Sequence, residues 1–314
     1  MIGLLFACSS PEPQPLRPPD LTLVITARDT LTDPPTFSLT DTHAKTQQTI
    51  LTGTLQPGAQ QNLPGILRLY GYQSGAFVGN DFLLERPDLQ GAFDTFQPDA
   101  CPTAQSVNAW LESAPSPTLL VLHVPQGCPM PPTRGETWTI GLGDLRADQL
   151  TDHHTRASLH GPGLGLLDTL QTTADVMPTL LSRAEATVPS DAEGHDLIGA
   201  IVSRDAIVQV GETTISLRTK QHRLVVNDRP LPPTLNTKAG ALFDLQNDPN
   251  EDTNVITQLP TIAQAMYAAL QDWEQQQQDP SARSRMGEDR FREILQDGGY
   301  WESTSRNLSD GDSE

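Results

Sequence analysis

The stretch GALFDLQNDPNEDTNV, residues 240–255, decides how the rest of the chain is read. A short apolar segment, Gly240 to Leu245, runs into a loop that is almost wholly polar. Pro249 holds its own φ and pushes Asp248 into extended geometry, so Asn-Asp-Pro forces a turn. The polar side chains around that turn can cap local backbone groups. The loop reads as a strand end with a built turn, a structural signature and not a catalytic one.

Working outward, the chain alternates strand-like and helix-like segments. LTLVITA (21–27), TLLVLHV (118–124) and TWTIGLG (137–143) are apolar runs of strand length, the pattern of strands buried on both faces. GAFVG (75–79) is a shorter one. NLPGILRLYGY (62–72) places Leu63, Ile66, Leu67 and Tyr70 at helical spacing, and Gly71 can close the helix. CPTAQSVNAWLES (101–113) puts Val107, Trp110 and Leu111 on one helical face. TTADVMPTLLSRA (172–184) is a helix interrupted or started near Pro178. This alternation predicts an α/β architecture with a mostly parallel central sheet flanked by helices.

Beyond about residue 200 the pattern changes. AIVQV (206–210), TTISLR (213–218) and HRLVV (222–226) are short runs separated by turn formers, an antiparallel meander. LPTIAQAMYAALQDWEQQQQ (259–278) is a long amphipathic helix with Ile262, Met266, Ala269, Leu270 and Trp273 along one side. The expected organisation is an N-terminal tether (1–19), an α/β domain (20–200), a small sheet-plus-helix subdomain (201–278) and a polar tail, partly disordered (279–314).

Composition limits the partners. The chain of 314 residues carries 39 acidic and 20 basic side chains, a formal charge of −19. That excludes nucleic acid and charge-driven docking on anionic lipid, both of which need a basic face. Any membrane contact falls to the N-terminus, where Leu5-Phe6-Ala7 precedes Cys8. This resembles a bacterial lipoprotein signal with Cys8 as the lipidated residue, although there is no basic stretch before it and the apolar run is short. The Pro-rich SSPEPQPLRPP that follows suits an extended tether, so the expected location is the cell envelope. Cys101 and Cys128 are then an even pair in an exported protein; they can form a disulfide or remain two thiols.

The 240–255 loop resembles the C-terminal signature of sulfatases, members of the alkaline phosphatase-like superfamily, through Leu242, Phe243, Asp244, Leu245, Asn247, Asp248, Pro249, Glu251 and Asn254. Further segments fall in that family's order: DLTLVITARDTL (20–31), ILTGTLQPGAQQNLPGILRLYGYQSGAFVGN (50–80), GAFDTF (91–96), LLVLHVPQGCPMPP (119–132), TWTIGLGDL (137–145), HGPGLGLLDTLQTTADVMPTLL (160–181) and LRTKQHRLVV (217–226). The resemblance implies an alkaline phosphatase-like fold and a sulfuric ester hydrolase ancestry.

It also locates the reactive centre. Sulfatases carry Cys/Ser-x-Pro-x-Arg with a glycine six residues after the arginine, and the Cys or Ser becomes formylglycine. In THAKTQQTILTG (42–53), counting back from Gly53 puts His43 at the nucleophile, Lys45 at the proline and Gln47 at the arginine. Histidine cannot become formylglycine, and a neutral glutamine lacks the guanidinium fork that holds an oxyanion. Loss of even one such donor costs about 10²–10³ in rate. The family's calcium site is matched only by Asp29 and Asp144, with Arg28 beside the first and Leu145 in place of the His/Asn ligand. Calcium takes about 6–8 oxygens, so two strand-end carboxylates are a poor set. His123 matches the first of two substrate-side histidines and Cys128 stands where the second should be.

The reading is therefore a sulfatase-like exported lipoprotein with an impaired centre, a pseudoenzyme acting as a binding or structural module toward a protein or an anionic ligand. The alternative is a metal-dependent hydrolase of sulfate or phosphate esters with a rebuilt site, since phosphatases of the superfamily use threonine and zinc. Thr42, Thr46 or Thr49 would then be the nucleophile, with Asp29, Asp144, His123, His153, His154, His160 and Asp175 as ligands. Against it, His153-His154 reads as an exposed loop, His160 as part of a surface turn, and Asp175 as a helix-start residue.

Overall fold

The computed structural model describes residues 18–28, 37–38, 49–53, 61–79, 82–83, 86–143, 156–164, 170–199, 204–210, 214–227, 230–249, 251–278 and 288–300. The first sheet holds β1 (Leu21–Arg28), β2 (Phe37–Ser38), β3 (Gln73–Gly79), β4 (Thr95–Asp99), β5 (Thr118–Val124), β6 (Glu136–Gly143) and β7 (Arg156–His160) in the order β2-β7-β6-β1-β5-β3-β4. From β6 through β4 every neighbour is parallel, whereas β7 and β2 are added antiparallel.

β1 and β5 are central because their runs are apolar on both faces. Leu21, Leu23, Ile25, Leu119 and Val121 join the larger core, which also takes Leu63 and Leu67 of α1 (Leu63–Leu69). Val24, Leu120, Leu122 and Val124 point the other way, toward Val107 and Trp110. A period of two within a strand buried on both sides produces this division. Gly71, at φ +82°, follows α1 and lets its amide reach back to Arg68 O at 3.1 Å.

After the short α2 (Pro87–Gln90) comes α3 (Ala104–Ser113), which starts three residues later than the apolar pattern from Cys101 indicates. Thr103 is its cap, accepting from Ser106 N at 3.2 Å, and this leaves Pro102 outside the helix. α4 (Val176–Arg183) follows a 3-10 turn at Thr173–Asp175, so Pro178 sits in its first turn, where its missing N–H leaves no bond unmade. Strands β2, β4 and β7 have no counterpart in the sequence reading. β4 is an edge strand containing Pro98, with its residues half-buried or exposed, so it lacks the apolar run that marks β1 and β5. His160 ends β7, paired with Thr139, and is not in a surface turn.

The second sheet is a meander of β8 (Ala206–Val210), β9 (Ile215–Thr219), β10 (His222–Val226) and β11 (Gly240–Asp244), all antiparallel. Ile262, Met266, Ala269 and Leu270 of α5 (Pro260–Gln278) pack on Leu217, Leu224 and Leu242. Within the segment that reads as a polar tail, α6 (Glu288–Asp297) forms, and Leu295 and Tyr300 are buried in the same core.

The loop after β11 is held by its own side chains. Asn254 Oδ1 accepts from the amides of Leu242 (3.1 Å) and Ile256 (3.0 Å), and Asp248 Oδ2 accepts from Thr253 N at 2.7 Å. Glu251 accepts from Arg218 Nη1 at 3.2 Å and Arg223 Nη1 at 2.9 Å. Each polar residue satisfies a neighbour that the turn would otherwise strand.

Candidate functional site

Open α/β sheets hold ligands outside the carboxyl ends of their parallel strands. In this chain that edge gathers the ends of β1, β3, β5 and β6. Residues 49–52 form one helical turn, in which Ile50 and Leu51 are fully buried in the larger core. Gly53 ends the turn at φ +64°, and its amide donates to Thr49 O at 2.8 Å. A Cβ at this position would come within 2.6 Å of Met177 Cε, so that side-chain end would have to shift, and the positive φ favours glycine. Gly53 O accepts from the amides of Glu193 (2.8 Å) and Gly194 (3.2 Å), which ties the turn to a distant segment.

That segment rests on an ion pair that sequence reasoning did not pick out. Asp175 is fully buried, and Arg204 nearly so at 7% exposure. Arg204 donates from Nη1 to Asp175 Oδ2 at 2.7 Å and from Nη2 to Oδ1 at 2.6 Å. The amide of Thr172 donates to Oδ2 at 2.7 Å, and the amide of His195 to Oδ1 at 2.8 Å. Four donors therefore occupy the carboxylate, in the geometry that lets a buried charge pair survive desolvation. Asp175 acts as the helix-start residue, and no face of it is left for a metal ion. Burial pushes the half-buried His195 imidazole below its ordinary value; Arg204 adds to this and Asp175 opposes it. The signal for Asp175 lay in its place before an apolar helix. Nothing local marks Arg204, which lies 29 residues further on.

His123 lies within β5, opposite Ile25 of β1 and Val78 of β3. Its ring is 5.2 Å from that of Phe82, tilted by 30°, and only 7% of the residue is exposed. It follows Leu119 and Val121 onto the larger core's face. Cys128, the residue matched with the second histidine, is bonded to Cys101 with their Cα atoms 5.6 Å apart. It packs against the smaller core on the side covered by α3. The two residues that the sequence places in one motif thus sit on opposite faces of the sheet.

Of the three candidate threonines, Thr49 is described, and at 2% exposure its side chain is buried beneath the turn. His160 is exposed at the end of β7. Cys8, Asp29, Thr42, His43, Thr46, Gln47, Asp144, His153 and His154 lie outside the described residues. Both carboxylates that the calcium expectation names are among them. Among the described residues no three His, Cys, Asp or Glu side chains group as a metal site would require. Nor, among the described residues, is any helix long and apolar enough to cross a membrane.

No family model matches the sequence, and no curated protein sequence does. Solved structures do match. One is BT4656 in complex with its substrate D-glucosamine-2-N,6-O-disulfate, at 11% identity and TM-score 0.59, spanning 86% of this chain and 100% of that one. Another is yidJ from Bacteroides fragilis, a proposed sulfatase, at 13% identity and TM-score 0.58, spanning 88% and 99%. A third is the phosphonate monoester hydrolase of Agrobacterium radiobacter, at 14% identity and TM-score 0.53, spanning 85% and 96%. The chain has the sulfatase-like alkaline phosphatase fold.

Proposed function

We propose that this sulfatase-fold chain is a catalytically impaired protein of the cell envelope, lipidated at Cys8, that binds a protein or an anionic ligand or serves a structural role. The observation that carries the reading is the sequence ahead of Gly53: His43, Lys45 and Gln47 stand where a sulfatase needs its formylglycine precursor, proline and arginine. Gly53 anchors the count, because its positive φ favours glycine at that place. The rest of the edge agrees with this. His123 is packed under Phe82, Cys128 is consumed in a disulfide, and Asp175 is saturated by Arg204 and two amides. The Cys101–Cys128 bond also suits an oxidising compartment outside the cytosol.

Chemistry of the residues at the centre argues for the impairment. Neither an imidazole at position 43 nor an amide at position 47 supplies an aldehyde hydrate or a fixed positive charge. The test is turnover of aryl sulfate and aryl phosphate esters by the purified chain with calcium or zinc added, together with metal analysis of the same preparation. We expect rates equal to the buffer blank. Saturable hydrolysis that depends on an added metal would overturn the reading and restore the rebuilt-hydrolase alternative. In the binding arm, calorimetry uses D-glucosamine-2-N,6-O-disulfate, the substrate bound by BT4656, as the anionic probe. Heat that saturates without hydrolysis supports an anionic ligand, and its absence directs attention to protein partners.

A further inference from the structure

Tyr300 lies in a polar part of the sequence yet is fully buried. Its hydroxyl is 2.7 Å from Thr219 Oγ1 and 2.9 Å from His222 Nδ1. Its ring stands edge-on to the imidazole, 84° between planes with centroids 5.6 Å apart. Thr219 and His222 bracket the β9–β10 turn, where the amide of His222 donates to Thr219 Oγ1 at 2.9 Å. Tyr300 therefore plugs directly into a turn of the small sheet.

The remaining described attachments of its segment are apolar packing, Leu295 in the core with Ile294 against it and Gly298 against Ala265 of α5, and one exposed ion pair. Arg292 pairs with Asp205 at 2.6 Å across side chains that are 49% and 21% exposed. A pair so open to water contributes little. Among the described contacts of residues 288–300, the Tyr300 hydroxyl bonds to a group able to titrate near neutral pH, the His222 imidazole.

We propose that residues 288–300 are a pH-sensitive clasp: a neutral His222 holds Tyr300 on the small sheet, and protonation of the ring at mildly acid pH releases the segment.

His222, on β10 between β9 and β11, is buried. β11 presents Asp244, opposite His222 in register, and the C-terminal segment presents Tyr300. Of the α5 side chains in this core, Ile262, Ala263, Ala265, Met266, Ala269 and Leu270 are apolar, and Tyr267 donates its hydroxyl to Pro232 O. Lys220 lies in the β9–β10 turn, and Arg223 projects from the opposite face of β10 to Glu251. Burial pushes the His222 imidazole below its ordinary value, Asp244 opposing, and burial likewise raises the Tyr300 hydroxyl. Undocking would return water to the ring and restore its ordinary basicity, so protons bind the open form better. The clasp is then at full strength above about pH 6.5 and weakens as the pH falls below it. For a ring that stays neutral when docked and titrates normally when free, the open-to-closed ratio rises about ten-fold from pH 7.5 to 5.5.

Hydrogen–deuterium exchange of the full chain at those two pH values, corrected for intrinsic rates, tests this. The expected result is about a ten-fold loss of protection across residues 288–300, with less than two-fold change in β8–β11 and no step in a His222→Asn variant. A step under two-fold, a loss shared equally by the whole sheet, or the same step in His222→Asn would overturn it. Should that variant fail to fold, the NMR titration of the His222 ring in the wild-type chain decides. A midpoint below the ordinary histidine value is expected, and one at or above it overturns the clasp.

Discussion

The two sheets are each fastened by buried polar contacts between distant segments, and these fastenings differ in kind. The large sheet uses a charged one, in which Asp175 takes two hydrogen bonds from Arg204 and two from backbone amides. The small sheet has a charged one of its own, Glu251 with Arg218 and Arg223, and holds its last segment by a neutral one, in which Tyr300 bonds to Thr219 and His222. A charge is tolerable at Asp175 because the helix-start amide of Thr172, the amide of the distant His195 and the guanidinium together supply four donors. The β9–β10 turn offers a hydroxyl and an imidazole in an apolar setting, and a full charge there would be poorly compensated. Buried polar contacts follow the donors that the local backbone leaves over.

The largest expected effect comes from breaking the charged fastening. Asp175→Ala takes the carboxylate away from the buried Arg204 guanidinium, at a cost of about 3–5 kcal/mol in urea unfolding. Replacing both partners, Asp175→Leu with Arg204→Met, should recover most of that, because the penalty lies in the buried charge that has lost its carboxylate. If the double variant is no better than the single, the electrostatic account of this site fails. On the small sheet Tyr300→Phe keeps the ring and removes the hydroxyl. It should cost about 1–3 kcal/mol, since Thr219 and His222 lose a partner without gaining water. A loss as large as that of Asp175→Ala would erase the distinction between the two fastenings.

The smallest effect is a pH dependence shared by both regions. Burial lowers the pKa of His195 beside the Asp175 fastening and of His222 within the Tyr300 one. A histidine held below its unfolded value contributes stability that is present above about pH 6.5 and is lost as the pH falls through the folded value. The urea midpoint should therefore drop between pH 7.5 and 5.5. His222→Asn should remove part of the drop and leave the part that belongs to His195. A midpoint that rises on acidification would contradict both shifts.

Much of the fold could be read from local pattern. The runs at 21–27 and 118–124 became β1 and β5, and the meander from residue 206 became the second sheet. Edge strands such as β4 escaped because they bury little and so carry no apolar run. Around the candidate site, Gly53 could be found by its spacing. The partnership of Asp175 with Arg204 could not, and neither could the burial of Tyr300 in a stretch that reads as a tail.

By itself the sequence determined the class of fold and which side chains stand ahead of Gly53, since residue identity at positions 43 and 47 gives an imidazole and an amide wherever the side chains lie. Only the tertiary structure decided that His123 and Cys128 part to opposite faces of the sheet, that Asp175 is spoken for, and that Tyr300 meets His222. The physical reason is range. Side-chain periodicity fixes which face a residue joins within its own element, whereas a hydrogen-bonding partner 29 or 78 residues away is chosen by packing and desolvation, which exist only once the chain has folded.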